Sequence, residues 1–263
     1  MQVRDKVVVV TGAASGIGEG LARRFKAEGA RAIVVADIDA EGAQRVAGEI
    51  GGVAMRVDVG QEANIRALVQ ETMVRFGQID LFCSNAGVFV EGDIDAPDHI
   101  WMRMRDVHLL AHVYAARAVL PKMVERGEGY LLQTVSAAAL GTSLESVMYA
   151  VTKHAALALA EWISITYGDR GIKVSALCPQ GVRTSMLSQD PENPLAAGSV
   201  SVEQVADAVI AGLAEERFLI LPHPEVGEYF RRKATDYDRW LRGMRRFRAE
   251  VASDQAKTKA VSE

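Results

Sequence analysis

The sequence predicts an α/β fold with a doubly wound, seven-stranded parallel sheet that carries helices on both faces. Short β-branched runs alternate with amphipathic helical stretches, which is typical of such a sheet. The chain has 263 residues, of which 49% are hydrophobic and 24% charged, enough for one large core but too few for two comfortable domains. We therefore predict one domain over residues 1–225 and a C-terminal helical extension over 226–263 whose end, after Val251, is disordered.

Seven apolar, β-branched runs predict the strands. They lie at residues 6–10, 31–36, 53–57, 79–84, 130–135, 172–177 and 218–221. Apolar residues at helical spacing predict helices between these runs that pack on the sheet. Two stripes are clear, one formed by Ile17, Leu21 and Phe25, and the other by Ile65, Leu68, Val69, Met73 and Phe76.

Later helices are predicted from their start and stop signals. A fourth helix covers about 97–120 and ends before Pro121, because proline interrupts a helix interior. A fifth helix covers about 144–167. Another begins at Ser201, with Gln204 as its capping-box partner.

Charge and composition exclude several kinds of partner. A net charge of −4 leaves no overall positive field, so we expect no nucleic-acid partner. No apolar run approaches the roughly 20 residues that cross a bilayer, and the N-terminus lacks a signal sequence. We expect a cytoplasmic protein without a membrane partner. Cys83 and Cys178 lie far apart, which argues against a disulfide scaffold or a cysteine-rich metal site.

A glycine-rich turn follows the first strand and opens a helix. Glycines there let the backbone approach a pyrophosphate, while the helix N-terminus presents free N–H groups. Asp37 ends the second strand, where a carboxylate can hydrogen-bond a ribose 2′-hydroxyl and repel a 2′-phosphate. The pattern predicts a Rossmann-type site that prefers NAD over NADP. The turn contributes the contacts Gly12, Ser15, Gly16, Ile17 and Gly18.

The glycine spacing resembles that of the short-chain dehydrogenase/reductase family, and later motifs agree over about 6–221. Ser136 follows the fifth strand, and Tyr149 and Lys153 match the family's Tyr-x-x-x-Lys motif. The resemblance implies that these three residues are catalytic and that Tyr149 and Lys153 also contact the cofactor. It implies further cofactor contacts from Asp58, Val59, Asn85, Ala86, Gly87, Pro179, Gly181, Val182 and Thr184.

Elementary chemistry supports the three catalytic roles. A phenol with a pKa of about 10 is a poor base at neutral pH, so Tyr149 needs a nearby cation. Lys153 lies one helical turn later, on the same face, and can supply that charge. Ser136 can hydrogen-bond the substrate oxygen and hold it beside the phenol.

The fourth helix departs from the family pattern. The family often has an asparagine there that holds a relay water near the lysine, whereas this chain has His108. Either His108 bridges to that water through a ring nitrogen, as a fourth catalytic residue, or it only fills space. His112 follows one turn later, but the glutamate of a zinc-binding helix is missing, so we predict no metal. Gln180 replaces the glycine that usually follows Pro179.

The expected pocket mouth is apolar and predicts a hydrophobic substrate. The long irregular stretch 185–200 is a candidate substrate flap, because long loops in compact domains are often lids. The apolar residues at the mouth are Leu140, Leu144, Met148, Met186 and Leu187.

The C-terminal extension predicts a basic amphipathic helix. Such a helix can lie on a membrane, but packing on the parent domain or on a neighbouring subunit is the interpretation we favour. The family resemblance implies a homo-oligomer, a tetramer or a dimer, joined through the fourth and fifth helices. The predicted apolar stripe consists of Phe230, Ala234, Tyr237, Leu241 and Met244.

Together these features predict an NAD-dependent oxidoreductase that interconverts a small-molecule secondary alcohol and a ketone by hydride transfer. Two alternatives stay open. The fold also suits an NAD-sensing or scaffold protein without turnover, and it can host a dehydratase or an epimerase.

Overall fold

The structure is a computed structural model that describes residues 1–187, 196 and 198–262. Most of the predicted flap, 185–200, therefore lies outside the described residues. Within the described part of the chain, no helix combines the length and apolarity needed to span a bilayer.

All seven predicted strands form one parallel sheet. The strands are β1 (Val7–Thr11), β2 (Ala32–Asp37), β3 (Val53–Arg56), β4 (Leu81–Ser84), β5 (Gly129–Thr134), β6 (Ile172–Leu177) and β7 (Leu219–Ile220). They are ordered β3-β2-β1-β4-β5-β6-β7, and every pairing is parallel. The predicted boundaries of β6 match these, and those of the other strands differ from them by at most two residues.

The sheet is buried on both faces, which explains the continuous apolar runs. All five residues of β1 are buried. Val9 packs into one apolar layer, and its neighbours Val8 and Val10 pack into the layer on the other face. Successive strand side chains point to opposite faces, so one run supplies both layers. The strand order reverses between β1 and β4, and the crevice at their carboxyl ends is where such sheets bind ligands.

Nine helices cover the sheet or follow it in the described part of the chain. They are α1 (Gly16–Ala27), α2 (Ala40–Ile50), α3 (Glu62–Phe76), α4 (Asp98–Arg105), α5 (Ala111–Arg126), α6 (Val147–Tyr167), α7 (Val202–Ala214), α8 (Glu225–Thr235) and α9 (Tyr237–Ser262). The predicted capping box of α7 is present, because the Ser201 hydroxyl accepts from Gln204 N and the Gln204 side chain accepts from Ser201 N.

The predicted fourth helix is interrupted and longer than expected. A π-helical turn, Asp106–Leu110, separates α4 from α5. The prediction that the helix ends before Pro121 is wrong, since α5 continues through Pro121 to Arg126. One missing N–H bond does not end a helix whose following turn is anchored by buried Met123.

The C-terminal extension forms two helices where one apolar stripe was predicted. Asp236 adopts an extended conformation between α8 and α9, and its carboxylate accepts from Arg239 N, as an N-terminal cap does. The break changes the helical phase, and Tyr237 and Leu241 of the predicted stripe are exposed. Helix α9 continues to Ser262, where we expected disorder; the alanine, glutamine and lysine after Val251 have high helix propensity.

Candidate active site

The glycine turn has no room for side chains. Gly12 and Gly16 have positive φ values of 64° and 55°. A Cβ on Gly12 would lie 2.6 Å from Ala86 Cα, and a Cβ on Gly18 would lie 2.0 Å from Gly12 O. Gly18 packs against Gly12 and Asn85 and does not line the central cavity, so the predicted cofactor contact at this glycine stays a prediction.

The N-terminus of α1 opens toward this turn without a cap. Ser15 begins the helix in an extended conformation, and in the described structure its side chain caps no backbone N–H. The first N–H groups of α1 are thus free for an anionic ligand, which helix N-termini favour. Free N–H groups beside a backbone cradle are what a pyrophosphate requires, so these residues fit a dinucleotide.

Asp37 is fixed at the carboxyl end of β2. One carboxylate oxygen accepts from Ala14 N at 2.9 Å, and the other accepts from Asp39 N at 3.0 Å. Ile38 beside it is 59% exposed and carries no charge. The described residues therefore present a carboxylate, without an adjacent cation at position 38, to a ligand in the crevice.

Asn85 ties together the ends of three strands. Its amide donates to Thr11 O at 3.1 Å and to Gly12 O at 3.3 Å. Its side-chain oxygen accepts from Thr134 Oγ1 at 3.0 Å. Asn85 thus joins β1, β4 and β5 where the crevice begins, which fixes the segment 85–87 against the glycine turn.

A cavity of about 1770 Å³ runs along the carboxyl ends of the strands. Ordinary small-ligand pockets measure about 300–1000 Å³, so this one has room for a dinucleotide and a second molecule. Apart from Gly18, it brings together every predicted site residue: Gly12, Ser15, Gly16, Ile17, Asp37, Asp58, Val59, Asn85, Ala86, Gly87, His108, Ser136, Tyr149, Lys153, Pro179, Gly181, Val182 and Thr184.

Helix α6 positions Tyr149 and Lys153. Buried Ser146 caps the helix by accepting from Tyr149 N at 3.2 Å, which places the tyrosine in the first turn. Lys153 Nζ donates to Thr134 O at 3.0 Å and lies 5.6 Å from the centroid of the Tyr149 ring. Ser136 follows β5, and its hydroxyl accepts from Ala138 N at 3.1 Å. Three chemically different groups thus face one space.

Burial changes the acid–base behaviour of this group. Burial raises the pKa of Tyr149 above its ordinary value, and the Ser136 hydroxyl opposes this rise. Burial lowers the pKa of Lys153 to about 8, so the lysine still carries a positive charge at neutral pH. An adjacent cation favours the phenolate over the phenol.

His108 lies in the π-helical turn and is fully buried. Its Nε2 accepts from Val88 N at 3.1 Å, so the proton must be on Nδ1, which donates to Thr152 Oγ1 at 3.0 Å. Burial lowers the pKa of His108 to about 2, with a further contribution from Lys153. Both nitrogens are therefore bonded to protein atoms, which supports the space-filling alternative over the water relay.

The ring of His108 also supports Tyr149. It meets the tyrosine ring edge-on with ring centroids 5.3 Å apart, and the ring of Phe89 also meets the tyrosine ring edge-on, with centroids 5.2 Å apart. His112, one turn further, is buried with Nδ1 unpaired among the described residues. No cluster of three or more metal-ligating side chains occurs in the described part of the chain.

Gln180 is supported by a residue that sequence reasoning missed. Its backbone N donates to Nδ1 of buried His223 at 3.2 Å. His223 lies after the last strand, and no sequence motif indicated that it would contact the site. Thr184, a predicted cofactor contact four residues after Gln180, lies against the glycine turn, since a Cβ on Gly16 would come 3.3 Å from Thr184 Cγ2.

The rest of the cavity is mostly apolar. Leu140, Leu144, Met186 and Leu187 line it as predicted. Met148 is absent from the lining and fully buried, because it lies on the face of α6 that packs against the protein. Sequence reasoning did not assign the C-terminal helices to this cavity, yet they contribute Val226, Tyr229, Phe230, Trp240, Met244 and Phe247.

Comparison with known proteins agrees with this geometry. Residues 6–194 match the short chain dehydrogenase family. A 1-deoxy-11-beta-hydroxypentalenate dehydrogenase of Streptomyces exfoliatus is 36% identical over 86% of each chain. A meso-2,3-butanediol dehydrogenase of Serratia marcescens is 30% identical over 82% of this chain and 90% of its own.

A solved structure agrees as well. A short-chain dehydrogenase/reductase from Burkholderia phymatum in complex with NAD superposes with a TM-score of 0.82 at 26% identity, covering 90% of this chain and 96% of its own. The family match, the strand order and the crevice lead to one conclusion. The chain belongs to the short-chain dehydrogenase/reductase family and is an oxidoreductase with a nicotinamide dinucleotide cofactor.

Proposed function

We propose that this protein is an NAD-dependent oxidoreductase that interconverts a secondary alcohol and a ketone, with preference for a hydrophobic substrate. The observation that carries the proposal is that Ser136, Tyr149 and Lys153 line the same cavity as the glycine turn and Asp37. A proton-transfer group and a dinucleotide cradle in one space are what hydride transfer to or from a carbinol carbon needs.

Asp37 supports NAD over NADP. Its carboxylate is held at the end of β2 by two backbone N–H groups, so it is pre-oriented to accept from a ribose 2′-hydroxyl. A 2′-phosphate at the same place would meet a fixed negative charge. The free N–H groups of α1 would hold the pyrophosphate. When bound, the cofactor supplies the hydride acceptor or donor through its nicotinamide.

Tyr149 is the proton-transfer residue of the proposed reaction. In the oxidation direction its phenolate takes the proton of the alcohol O–H as the carbinol hydrogen leaves as hydride. In the reduction direction the phenol returns a proton to the carbonyl oxygen. Ser136 is 7% exposed, and its hydroxyl can donate to the substrate oxygen and orient it.

Lys153 and His108 support the phenol in different ways. The charged Lys153 favours the phenolate, which burial alone disfavours. His108 is a positioning residue in this proposal. Its ring lies edge-on to Tyr149, and its Nδ1 donates to Thr152, which lies on α6 in the same helical turn as Tyr149.

The relatives support the reaction type. Two of them are named as dehydrogenases of hydroxyl-bearing molecules, 1-deoxy-11-beta-hydroxypentalenate and meso-2,3-butanediol. The apolar part of the cavity, with Leu140, Leu144 and Leu187, supports a substrate with a hydrophobic body.

The test is oxidation of a panel of secondary alcohols with NAD and with NADP. NADH is followed by absorbance, and the ketone is quantified in the same samples. The proposal predicts NADH and ketone in a one-to-one ratio, and faster turnover with NAD than with NADP. A redox-neutral product without net NADH would instead indicate a dehydratase or epimerase. NAD binding without turnover of any alcohol would indicate a sensing protein.

We also propose that the chain assembles as a dimer or tetramer through α5 and α6. Ala115, Ala156 and Ala160 of these helices are buried in the chain's own core. The outer side of α6 instead carries exposed Trp162 and Ile165, at 57% and 82% exposure. We expect Ile165→Lys to reduce the mass measured by analytical ultracentrifugation. An unchanged mass above that of the monomer would exclude this surface.

A further inference from the structure

The C-terminal helices fold back over the cavity of their own chain. Helices α8 and α9 lie beyond residues 6–194, the part of the chain that matches the family. They nevertheless line part of the cavity, with Phe230, Trp240 and Met244 among their contributing side chains. We call the cavity-lining side chains of α8 and α9 the wall. This wall is a feature of this chain that the family match does not cover.

Lys233 of α8 holds this arrangement together. Its side chain is buried, at 7% exposure of the residue. Nζ donates to Leu140 O at 3.1 Å and to Gly141 O at 2.9 Å. The same atom lies 4.7 Å from the ring centroid of Trp240 and 5.5 Å from that of Tyr237, both in α9. One ammonium group thus contacts the loop at Leu140 and Gly141 and two of the aromatic rings of α9.

The contacts of Lys233 depend on one another. A buried ammonium is unfavourable unless its protons are bonded and its charge is compensated. Here two carbonyl oxygens accept hydrogen bonds from the ammonium, and two aromatic rings lie near its charge. This arrangement stabilises a desolvated cation. In the described part of the chain no carboxylate forms an ion pair with Lys233. The site exists only while α8, α9 and the loop at Leu140 are all in place.

The loop that Lys233 holds is part of the catalytic segment. Leu140 and Gly141 directly follow the short 3₁₀ turn Ala137–Ala139, which begins after Ser136. Both residues line the cavity. The position of the C-terminal helices is therefore coupled to the segment that orients the substrate oxygen.

One face of α9 presents apolar side chains to the cavity. Trp240, Met244, Phe247 and Val251 recur at the spacing of one helix face and line the space. They are only partly covered, and Phe247 is 43% exposed. Leu241, next to Trp240, is absent from the lining. An apolar stripe that faces a cavity and is left half-covered is suited to a large apolar ligand.

We infer that α8 and α9, pinned by Lys233, form the specificity wall of the substrate site in the same chain and select secondary alcohols with a bulky, cyclic apolar body. This inference rests on the proposed alcohol dehydrogenase function. From this inference we expect a small alcohol to react at Ser136 and Tyr149 without contacting the wall, whereas a polycyclic alcohol should cover the stripe on α9.

The test compares two variants with matched controls. Lys233→Met removes the buried ammonium that joins α8, α9 and the loop at Leu140. Its control, Lys122→Met, removes an exposed ammonium on α5. Trp240→Ala removes a wall side chain, and its control Leu241→Ala truncates the adjacent residue. kcat/KM is measured with NAD for two achiral secondary alcohols, 2-propanol and the tricyclic 2-adamantanol.

We expect both wall variants to lower the ratio of the 2-adamantanol value to the 2-propanol value by about 10-fold or more, as loss of apolar pocket contacts does. Both controls should keep the ratio of the unmodified protein. Equal losses for the two alcohols, or an unchanged ratio in both wall variants, would overturn the inference.

Two readouts do not need turnover. Trypsin should cleave after the arginines of α9 faster in Lys233→Met than in Lys122→Met. Equal rates would overturn the claim that Lys233 holds α9 in place. Addition of 2-adamantanol should change the tryptophan fluorescence of the unmodified protein but not of Trp240→Ala. No fluorescence change in the unmodified protein, or an equal change in Trp240→Ala, would exclude the wall as a binding surface. Absence of alcohol oxidation by the unmodified protein would refute the proposed function, while these two readouts still test the wall.

Discussion

Charged and polar residues of the site are held by backbone groups rather than by partners of opposite charge. Asp37 accepts from two N–H groups, and Lys153 donates to the carbonyl oxygen of Thr134. Such contacts fix geometry and leave the charge free to act on a ligand. We therefore expect that single residues of the site can be replaced with specific effects on function.

The preference for NAD should depend on Asp37. In Asp37→Ser the carboxylate that would accept from the ribose is lost, so we expect the ratio of kcat/KM with NAD to that with NADP to fall by about 10-fold or more, as loss of a charged hydrogen bond does. The measurement follows the formation of NADH and of NADPH by the absorbance that the two reduced cofactors share.

Asp39→Ser is the matched control. Asp39 lies two residues away and caps α2 by accepting from Gly42 N, a role that serine retains. Its cofactor ratio should stay that of the unmodified protein. If Asp37→Ser also keeps that ratio, the carboxylate does not determine the cofactor preference.

At the scale of elements, the glycine turn was predictable and the function of each glycine was not. The motif after a strand and before a helix predicted the turn, and the structure has β1 followed by α1. The separate role of Gly18 follows from its close approach to Gly12 O, which is a tertiary contact. Sequence spacing carries no information about which glycine faces the ligand and which faces the backbone.

Two glycine-to-alanine changes in helices should have opposite effects on stability. Gly18→Ala places a Cβ 2.0 Å from a carbonyl oxygen, so we expect a loss of about 1–3 kcal/mol or more in the free energy of unfolding. Gly48 in α2 has no atom within 4 Å of an added Cβ, so Gly48→Ala should gain about 0.5–1 kcal/mol. Urea unfolding measures both. A stable Gly18→Ala variant would contradict the close packing of the turn.

Helix boundaries were predicted less well than strands, for physical reasons. The strands are buried on both faces, so their apolar runs are unambiguous. The π turn around His108 and the passage of α5 through Pro121 depend on packing against neighbours. Asp236 is itself a residue type that often caps helices, so the sequence held a sign of the break. The periodic arginines and aromatic residues nevertheless favoured one continuous helical stripe.

At the scale of the whole molecule, the ordered motifs predicted which side chains meet in the cavity as the proposed catalytic group, but they did not predict which elements enclose that group. Ser136 follows β5, whereas Tyr149 and Lys153 both lie on α6, and the parallel sheet brings these two elements to one edge, so the order of the motifs along the chain was informative. The C-terminal helices reach the same edge through the buried contacts of Lys233. No local pattern encodes such a long-range contact, and His223 was missed for the same reason.

Two of the buried histidines, His108 and His112, should make the folded state sensitive to acid. Burial lowers the pKa of His112 from 6.5 to about 3, so the folded protein stays unprotonated there while the unfolded chain binds a proton below pH 6.5. Stability therefore falls as the pH decreases, by about 1.4 kcal/mol per pH unit for this histidine. Between pH 7 and pH 5 we expect a loss of about 2 kcal/mol from His112 alone.

Unfolding in urea at both pH values measures this effect. His112→Leu should lose about 2 kcal/mol less than the unmodified protein between pH 7 and pH 5. His99 is exposed, so His99→Gln should show the same pH dependence as the unmodified protein. An equal pH dependence in His112→Leu would mean that His112 is protonated in the folded state.

The most direct test of the central claim is the rate of NADH formation from a secondary alcohol by Tyr149→Phe, beside Tyr167→Phe as a control at the far end of the same helix. We predict that kcat falls by about 100-fold or more in Tyr149→Phe, the usual effect of losing a general base, with NAD affinity retained and with Tyr167→Phe unaffected. Retention of most of the rate in Tyr149→Phe would contradict the claim that this phenol transfers the proton.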